Sequence, residues 1–229
     1  MVELSAETIN DHIDAHGYAI VRDSLSDNAM RGFVDLLDDH SQDAVLAGNA
    51  AIEAETAPLT VACDAPTELE ALRRELYGVL APIANRWMEQ MGFDVWYAGS
   101  FEDFLRLNVP SHHHPFRARL SRLRPGQGGL LQAQVNGALT FPLQVVALLS
   151  QPSEHFEGGS LVQFEQGSDG SLTEKIVPIQ RGDLAVVPVW TRPRLHSDGR
   201  ISRLMVKRLV KRVDAGVRDS VELLFSAPR

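Results

Sequence analysis

The sequence predicts an α+β protein in which N-terminal helices pack outside an antiparallel β-barrel or jelly roll. Apolar residues recur every three or four positions up to about residue 115 and every two positions after it. Glycine- and aspartate-bearing turns separate the later apolar runs at short intervals, the spacing of a closed or sandwiched antiparallel sheet. A chain of 229 residues with 44% hydrophobic side chains also buries a core large enough to need no staples.

Each element follows from local pattern. Ser5 caps a helix carrying Ile9 and Ile13, and Gly17 stops it. Tyr18-Ala19-Ile20-Val21 reads as a short strand. Ser26-Asp27 opens a second helix with Met30, Phe33, Val34 and Leu37 on one stripe. Residues 47–60 are small and weakly patterned, which predicts a loop. Thr67 begins a long amphipathic helix, with Leu69, Leu72, Leu76, Val79, Leu80, Ile83 and Trp87 on its core face. Pro82 is expected to kink or split that helix, and Gly92 to end it. Ser100-Phe101-Glu102-Asp103 begins one more, and Trp96, Tyr97, Phe101 and Phe104 read as core at the junction with the sheets. In the second half, residues 141–149 form an apolar run suited to a strand buried on both faces. Further strands are expected at 161–164, 175–179, 184–189, 201–213 and 220–225, with Ser168-Asp169-Gly170 as a hairpin turn. The helical support region is expected over residues 1–114 and the barrel over 115–229, as one globular unit.

Composition excludes several function classes. The single cysteine, Cys63, permits no intramolecular disulfide and no cysteine-based zinc site, and reads as a structural thiol. No run approaches the length of a membrane span, and the opening MVELSAETIN lacks the basic and apolar regions of a signal peptide. A cytoplasmic protein without membrane contact is therefore expected. The net charge of -8 is unevenly spread: residues 1–100 carry 18 acidic against 5 basic side chains, and the remainder 12 against 17. The basic half includes Arg117, Arg119, Arg122, Arg124, Lys207, Arg208, Lys211 and Arg212. Strand alternation divides the last four between two faces, and no stacking aromatics interleave them, so the pattern does not point to nucleic acid.

Four segments in order carry a family likeness: Phe141-Pro142-Leu143-Gln144-Val145, Phe156-Glu157-Gly158-Gly159-Ser160-Leu161, Arg181-Gly182-Asp183-Leu184 and Gly199-Arg200-Ile201-Ser202-Arg203. Over roughly residues 115–226 the chain resembles the 2-oxoglutarate- and Fe(II)-dependent oxygenases, in particular bacterial relatives of prolyl hydroxylases. The resemblance implies a double-stranded β-helix, a jelly roll or cupin-like barrel, with supporting N-terminal helices. It also implies two histidines and a carboxylate on one face of Fe(II), with open positions for 2-oxoglutarate and dioxygen.

The positions that the resemblance assigns to those ligands hold other residues. Counting back from Gly137 places the histidine-any-aspartate pair on Gln132 and Gln134, neutral amides that are poor iron donors. The 2-oxoglutarate arginine matches Arg203, which puts the third ligand on Thr191, with His196 only seven residues before Arg203. Two beyond Arg203, where a polar residue is usual, stands Met205. If Gln132 and Gln134 face inward, alternation puts Met205 and Lys207 inward beside Arg203. Gln132, Gln134 and Lys207 are then the candidate catalytic groups, with Arg203, Met205, His196 and Thr191 lining the substrate. Lys207 paired with a carboxylate such as Glu165 is the structural alternative.

The sequence thus predicts an oxygenase fold that has lost its iron site and works without a cofactor on a small anionic or carbonyl-bearing ligand. Cyclisation or isomerisation in bacterial specialised biosynthesis is the expected employment. Two alternatives stand beside it: a non-catalytic partner, as homo-oligomer or subunit of an active homologue, and an Fe(II)/2-oxoglutarate enzyme with ligands drawn from His112, His114 and His196. The run His112-His113-His114 lies between Pro110 and Pro115 and offers no carboxylate at fixed spacing, so a solvated loop is the reading preferred for it.

Overall fold

A computed structural model describes residues 6–46, 58–63, 67–108, 118–129, 141–223 and 225. The first helix, α1 (Ala6–His16), buries Ile9 and Ile13. It ends on Gly17, whose φ of +86° closes the turn and whose missing side chain leaves room for the Glu165 carboxylate. Strand β1 (Ala19–Val21) follows, then α2 (Asp27–Leu46). The Ser26 hydroxyl accepts the Ala29 amide at 3.2 Å, an N-cap, and Met30, Phe33 and Leu37 face the core.

Strand β2 (Leu59–Cys63) corrects the expected loop over 47–60: Leu59 and Thr60 pair with Arg122 and Ser121. Residues 47–57 of that loop lie outside the described residues. Helix α3 (Thr67–Gln90) runs unbroken through Pro82, which does not split it. Pro82 sits exposed while Leu80, Ile83, Ala84 and Trp87 stay buried, so packing on the core face outweighs one lost backbone bond. Helix α4 (Phe101–Asn108) starts where the Ser100 hydroxyl accepts the Asp103 amide. Of the four aromatics expected at the junction, Tyr97, Phe101 and Phe104 are buried and Trp96 is 75% exposed.

The remaining strands are β3 (Ala118–Leu123), β4 (Leu143–Leu148), β5 (Phe156–Gly158), β6 (Leu161–Gln166), β7 (Leu172–Ile176), β8 (Leu184–Pro188), β9 (Thr191–Leu195), β10 (Ile201–Val210), β11 (Val213–Gly216) and β12 (Arg218–Leu223). The expected strand over 201–213 is two strands, and β9 was not anticipated. A six-stranded sheet has the order β1-β8-β4-β12-β3-β2, a four-stranded sheet the order β7-β6-β10-β9, and β11 pairs with β5. Every neighbouring pair is antiparallel. The two edge strands of the larger sheet, β1 and β2, come from the N-terminal half.

Period-2 alternation divides the core into two layers. From β4 and β8, Val145, Ala147, Leu184 and Val186 join the helical residues Phe33, Leu80 and Trp87. The intervening Val146, Leu148, Ala185 and Val187 face Leu161 of the smaller sheet. This explains why β4 is buried along its whole length. Tyr77 anchors the helical layer, 5.1–5.3 Å from the rings of Phe101, Phe104 and Phe141. Each such pair contributes about 0.5–1.5 kcal/mol beyond its burial. Among the described residues no helix is long and apolar enough to cross a membrane.

Candidate functional site

Between the two sheets lies a cavity of about 380 Å³ lined by both polar and apolar side chains. Strand β12 sends Arg218, Ser220 and Glu222 into it, opposite Leu123, Ser121 and Arg119 of β3. Gln144 enters from β4 and Arg208 from β10. The local cause is the alternation itself: Val221 and Leu223 of β12 face the helices, so 218, 220 and 222 must face the other sheet.

The cavity's hydrogen bonds form one chain and one separate pair. Glu222 accepts from Arg119 Nε at 3.0 Å and from Gln144 Nε2 at 2.9 Å. The other end of the Gln144 amide accepts from Arg208 Nη2. Arg218 is 1% exposed and donates from Nη1 to the Ser220 hydroxyl at 3.0 Å. Its guanidinium stands 6.0 Å from the Phe156 ring centre. Gly159, at φ +58°, makes this possible, because a side chain there would meet Arg218 Cδ at 3.0 Å. Arg218 Nε and Nη2 and Arg208 Nε are shielded from solvent and have no hydrogen-bond partner among the described residues. Burial pulls both arginines down to about 10, with Glu222 pulling the other way.

Those of the expected site residues that are described stand elsewhere. On β10 the inward face is Leu204, Val206 and Arg208, while Arg203, Met205 and Lys207 point outward. This reverses the expected phase, because the buried partners of β10 are its own apolar residues and not the arginine chosen to set the register. Arg203 donates to the Met91 carbonyl and lies 4.3 Å over the Phe93 ring. Met205 is 49% exposed and Lys207 is exposed. Thr191 is buried, and its hydroxyl donates to the Leu204 carbonyl at 2.9 Å. His196, in the β9–β10 hairpin, bonds the Ser202 hydroxyl at 2.8 Å. Gln132, Gln134, His112 and His114 lie outside the described residues. Glu165 does not pair with Lys207; it holds Arg192 at 2.8 and 3.0 Å and Lys175 at 2.8 Å. Burial opposes its ionisation, but the two cations outweigh burial and keep its carboxyl below the ordinary value.

Sequence reasoning missed Arg208, Arg218, Gln144, Ser220 and Glu222 as a group. A signal was present: Arg218, Ser220 and Glu222 alternate with the apolar Val221 and Leu223. Among the described residues no three His, Cys, Asp or Glu side chains gather closely enough to hold a metal ion. Nor do the described residues lining the cavity form a donor set for a divalent cation. Three guanidinium groups offer no lone pair, and the carboxylate, Glu222, already serves Arg119 and Gln144. The same groups do fit the carboxylates of an acid such as 2-oxoglutarate.

Helices behind the larger of two facing antiparallel sheets, with a cavity between the sheets, make a double-stranded β-helix. Residues 60–227 match the family model described as "Oxygenase, catalysing oxidative methylation of damaged DNA", and the chain belongs to that family. Two uncharacterized Mycobacterium tuberculosis proteins, MT2286 and Rv2227, are each 26% identical over 163 residues, 71% of this chain and 70% of theirs. A prolyl-4-hydroxylase from Pseudomonas putida shares the fold with a TM-score of 0.53 at 16% identity, covering 98% of this chain and 100% of its own. A Phytophthora capsici prolyl 4-hydroxylase gives a TM-score of 0.52 at 12% identity, over 96% of this chain and 61% of its own.

Proposed function

We propose that this chain is an oxygenase-fold protein without the iron triad, working as a metal-independent small-molecule enzyme or binder. The observation that carries the reading is the Arg208 guanidinium, which points into the cavity between the sheets. With Arg218 as the inward arginine of the last strand, the inward position shortly before it is Arg208. If Arg218, in place of Arg203, is the counterpart of the 2-oxoglutarate arginine, the third-ligand position moves from Thr191 to Arg208. A guanidinium there brings a positive charge and no donor atom, so it repels the ion that a histidine would bind. Gln132 and Gln134 at the other two expected ligand positions support the same reading. On it, the oxidative DNA chemistry of the family description does not extend to this chain. What the cavity offers is positioning and charge: cations to orient an acid, and Glu222 and Gln144 to exchange hydrogen bonds with it.

The test is metal analysis of protein purified anaerobically with Fe(II), beside calorimetric titration of 2-oxoglutarate. Substoichiometric iron is expected in the wild type. Iron uptake is expected to rise in the triple variant Gln132→His, Gln134→Asp, Arg208→His. Stoichiometric iron in the wild type, lost in His196→Ala or His112→Ala, overturns the proposal.

A second reading, a non-catalytic partner of an active homologue, draws on the outer face of the four-stranded sheet. There Met205 and Leu172 flank Gln166 in one cross-strand row, and both are exposed. Such a role predicts a stable complex with the homologue and no effect of cavity substitutions on it.

A further inference from the structure

The cavity's charges do not balance. Among the described residues that line it, Arg119, Arg208 and Arg218 face a single carboxylate, Glu222, which is spent on Arg119 and on the Gln144 amide. Arg208 receives only a neutral amide oxygen and Arg218 only a hydroxyl. Three of their N–H-bearing nitrogens are shielded from water and have no partner among the described residues. Leaving a charged donor unpaired away from water is costly, and folding alone gives no reason to keep two such groups in one cavity.

Their placement is also specific. Arg208 belongs to β10 of the four-stranded sheet and Arg218 to β12 of the six-stranded sheet, so the two cations stand on opposite walls. Val146, Leu161 and Val210 line the cavity as well. At about 380 Å³ the cavity is at the lower end of the range for small-molecule sites. Gln144 keeps the arrangement from collapsing. Its amide stands between Arg208 and Glu222 and carries no charge, so Arg208 stays available; a glutamate there would neutralise it.

We infer that this cavity is a two-point clamp for a small aliphatic dicarboxylate, one carboxylate on Arg208 and the other on Arg218. In this clamp Arg208 supplies the positive charge that a metal would supply in an iron enzyme of the same fold. The inference rests on the metal-independent reading above and adds the ligand class to it. It carries a distinctive consequence. A metal chelates the 2-oxo group together with its neighbouring carboxylate, whereas two guanidinium groups read only the two carboxylates. The clamp therefore does not require the 2-oxo group.

The experiment is isothermal titration of the full-length, EDTA-treated protein at pH 7 with glutarate, 2-oxoglutarate, butyrate and inorganic phosphate. Glutarate and 2-oxoglutarate are expected to bind within about threefold of one another. Butyrate, with one carboxylate, is expected to bind at least about tenfold more weakly, since each charge-assisted pair is worth more than 1.4 kcal/mol. Arg208→Gln and the near-isosteric Gln144→Glu are each expected to weaken glutarate at least about tenfold. The wild-type comparison stands without either variant, should one fail to fold. Absence of glutarate binding, butyrate binding as tightly as glutarate, or unchanged affinity in a folded variant overturns the clamp. Phosphate binding that ignores Arg208→Gln identifies a single-point anion site and overturns it too. Stoichiometric iron in the anaerobic preparation sinks the metal-independent reading; iron-free protein that ignores glutarate sinks only the clamp.

Discussion

Replacing Arg208 with methionine is expected to stabilise the ligand-free protein. Burial holds this guanidinium at about 10, against 12.5 in water. At 1.36 kcal/mol per pKa unit, the folded environment disfavours the charge by about 3 kcal/mol. Arg208 is half-buried over its whole area, so solvent screening reduces that figure. Methionine of similar length keeps the stem's contacts with the cavity wall and removes the charge. It also gives up the bond to Gln144, worth about 1 kcal/mol. The net gain expected is about 1–2 kcal/mol, or roughly 3–6 °C in Tm for a chain of this size. Urea denaturation followed by tryptophan fluorescence, in buffer free of carboxylates, measures it. A loss of more than about 1 kcal/mol would show Arg208 to be a structural residue and would refute the argument from unbalanced charge.

Three further outcomes follow from buried polar contacts. Glu165→Gln leaves Arg192, 6% exposed in its side chain, without its anion and should cost about 3 kcal/mol at pH 7. Because the Glu165 carboxyl is held below 4.5 when folded, its contribution is fully present above that value and is lost as pH falls through the lower folded one. Stability-against-pH curves of wild type and variant should accordingly converge below about pH 4.5. Arg122→Met strands Asp219, which Arg122 grips at 2.8 and 2.7 Å, and should cost about 3–5 kcal/mol in urea denaturation. Asn85→Ala removes the side chain that exchanges bonds of 2.7 and 3.0 Å with the Tyr97 backbone; a loss of about 2 kcal/mol is expected, with faster amide exchange at Tyr97.

Much of the fold was legible because it is written in period. Ile9 and Ile13, or Val145 and Ala147 against Val146 and Leu148, declare which face is buried before any contact is known. The misreadings came where tertiary context decides. Pro82 breaks an isolated helix, but the surrounding core contacts of Leu80, Ile83 and Ala84 hold this one together. Leu59 and Thr60 have weak strand pattern and become a strand because β3 offers them an edge. The site was harder still, since phasing β10 on Arg203 inverted the strand. Reading inward from an arginine assumed that the charged residue marks the pocket. Leu204 and Val206, with their apolar side chains, were the safer guide, and they place Arg208 inside.

That inversion bears on how such a cavity could arise. A barrel with a divalent ion at its centre holds its ligands together by the ion's charge. On the proposed reading, a barrel without the ion and its carboxylate leaves Arg218 of the last strand facing the cavity with its charge unmatched. On the same reading, a second arginine at Arg208 supplies that positive charge from the protein itself. The amide of Gln144 then matters as much as the cation, because it bridges Arg208 to Glu222 without cancelling it. The arrangement stores unfavourable electrostatics in the free protein and releases them when an anion enters. A cavity selected only for stability would hold methionine or leucine in place of Arg208, and a cavity selected for iron would hold a histidine. The residue present suits neither of those ends and suits the binding of an acid.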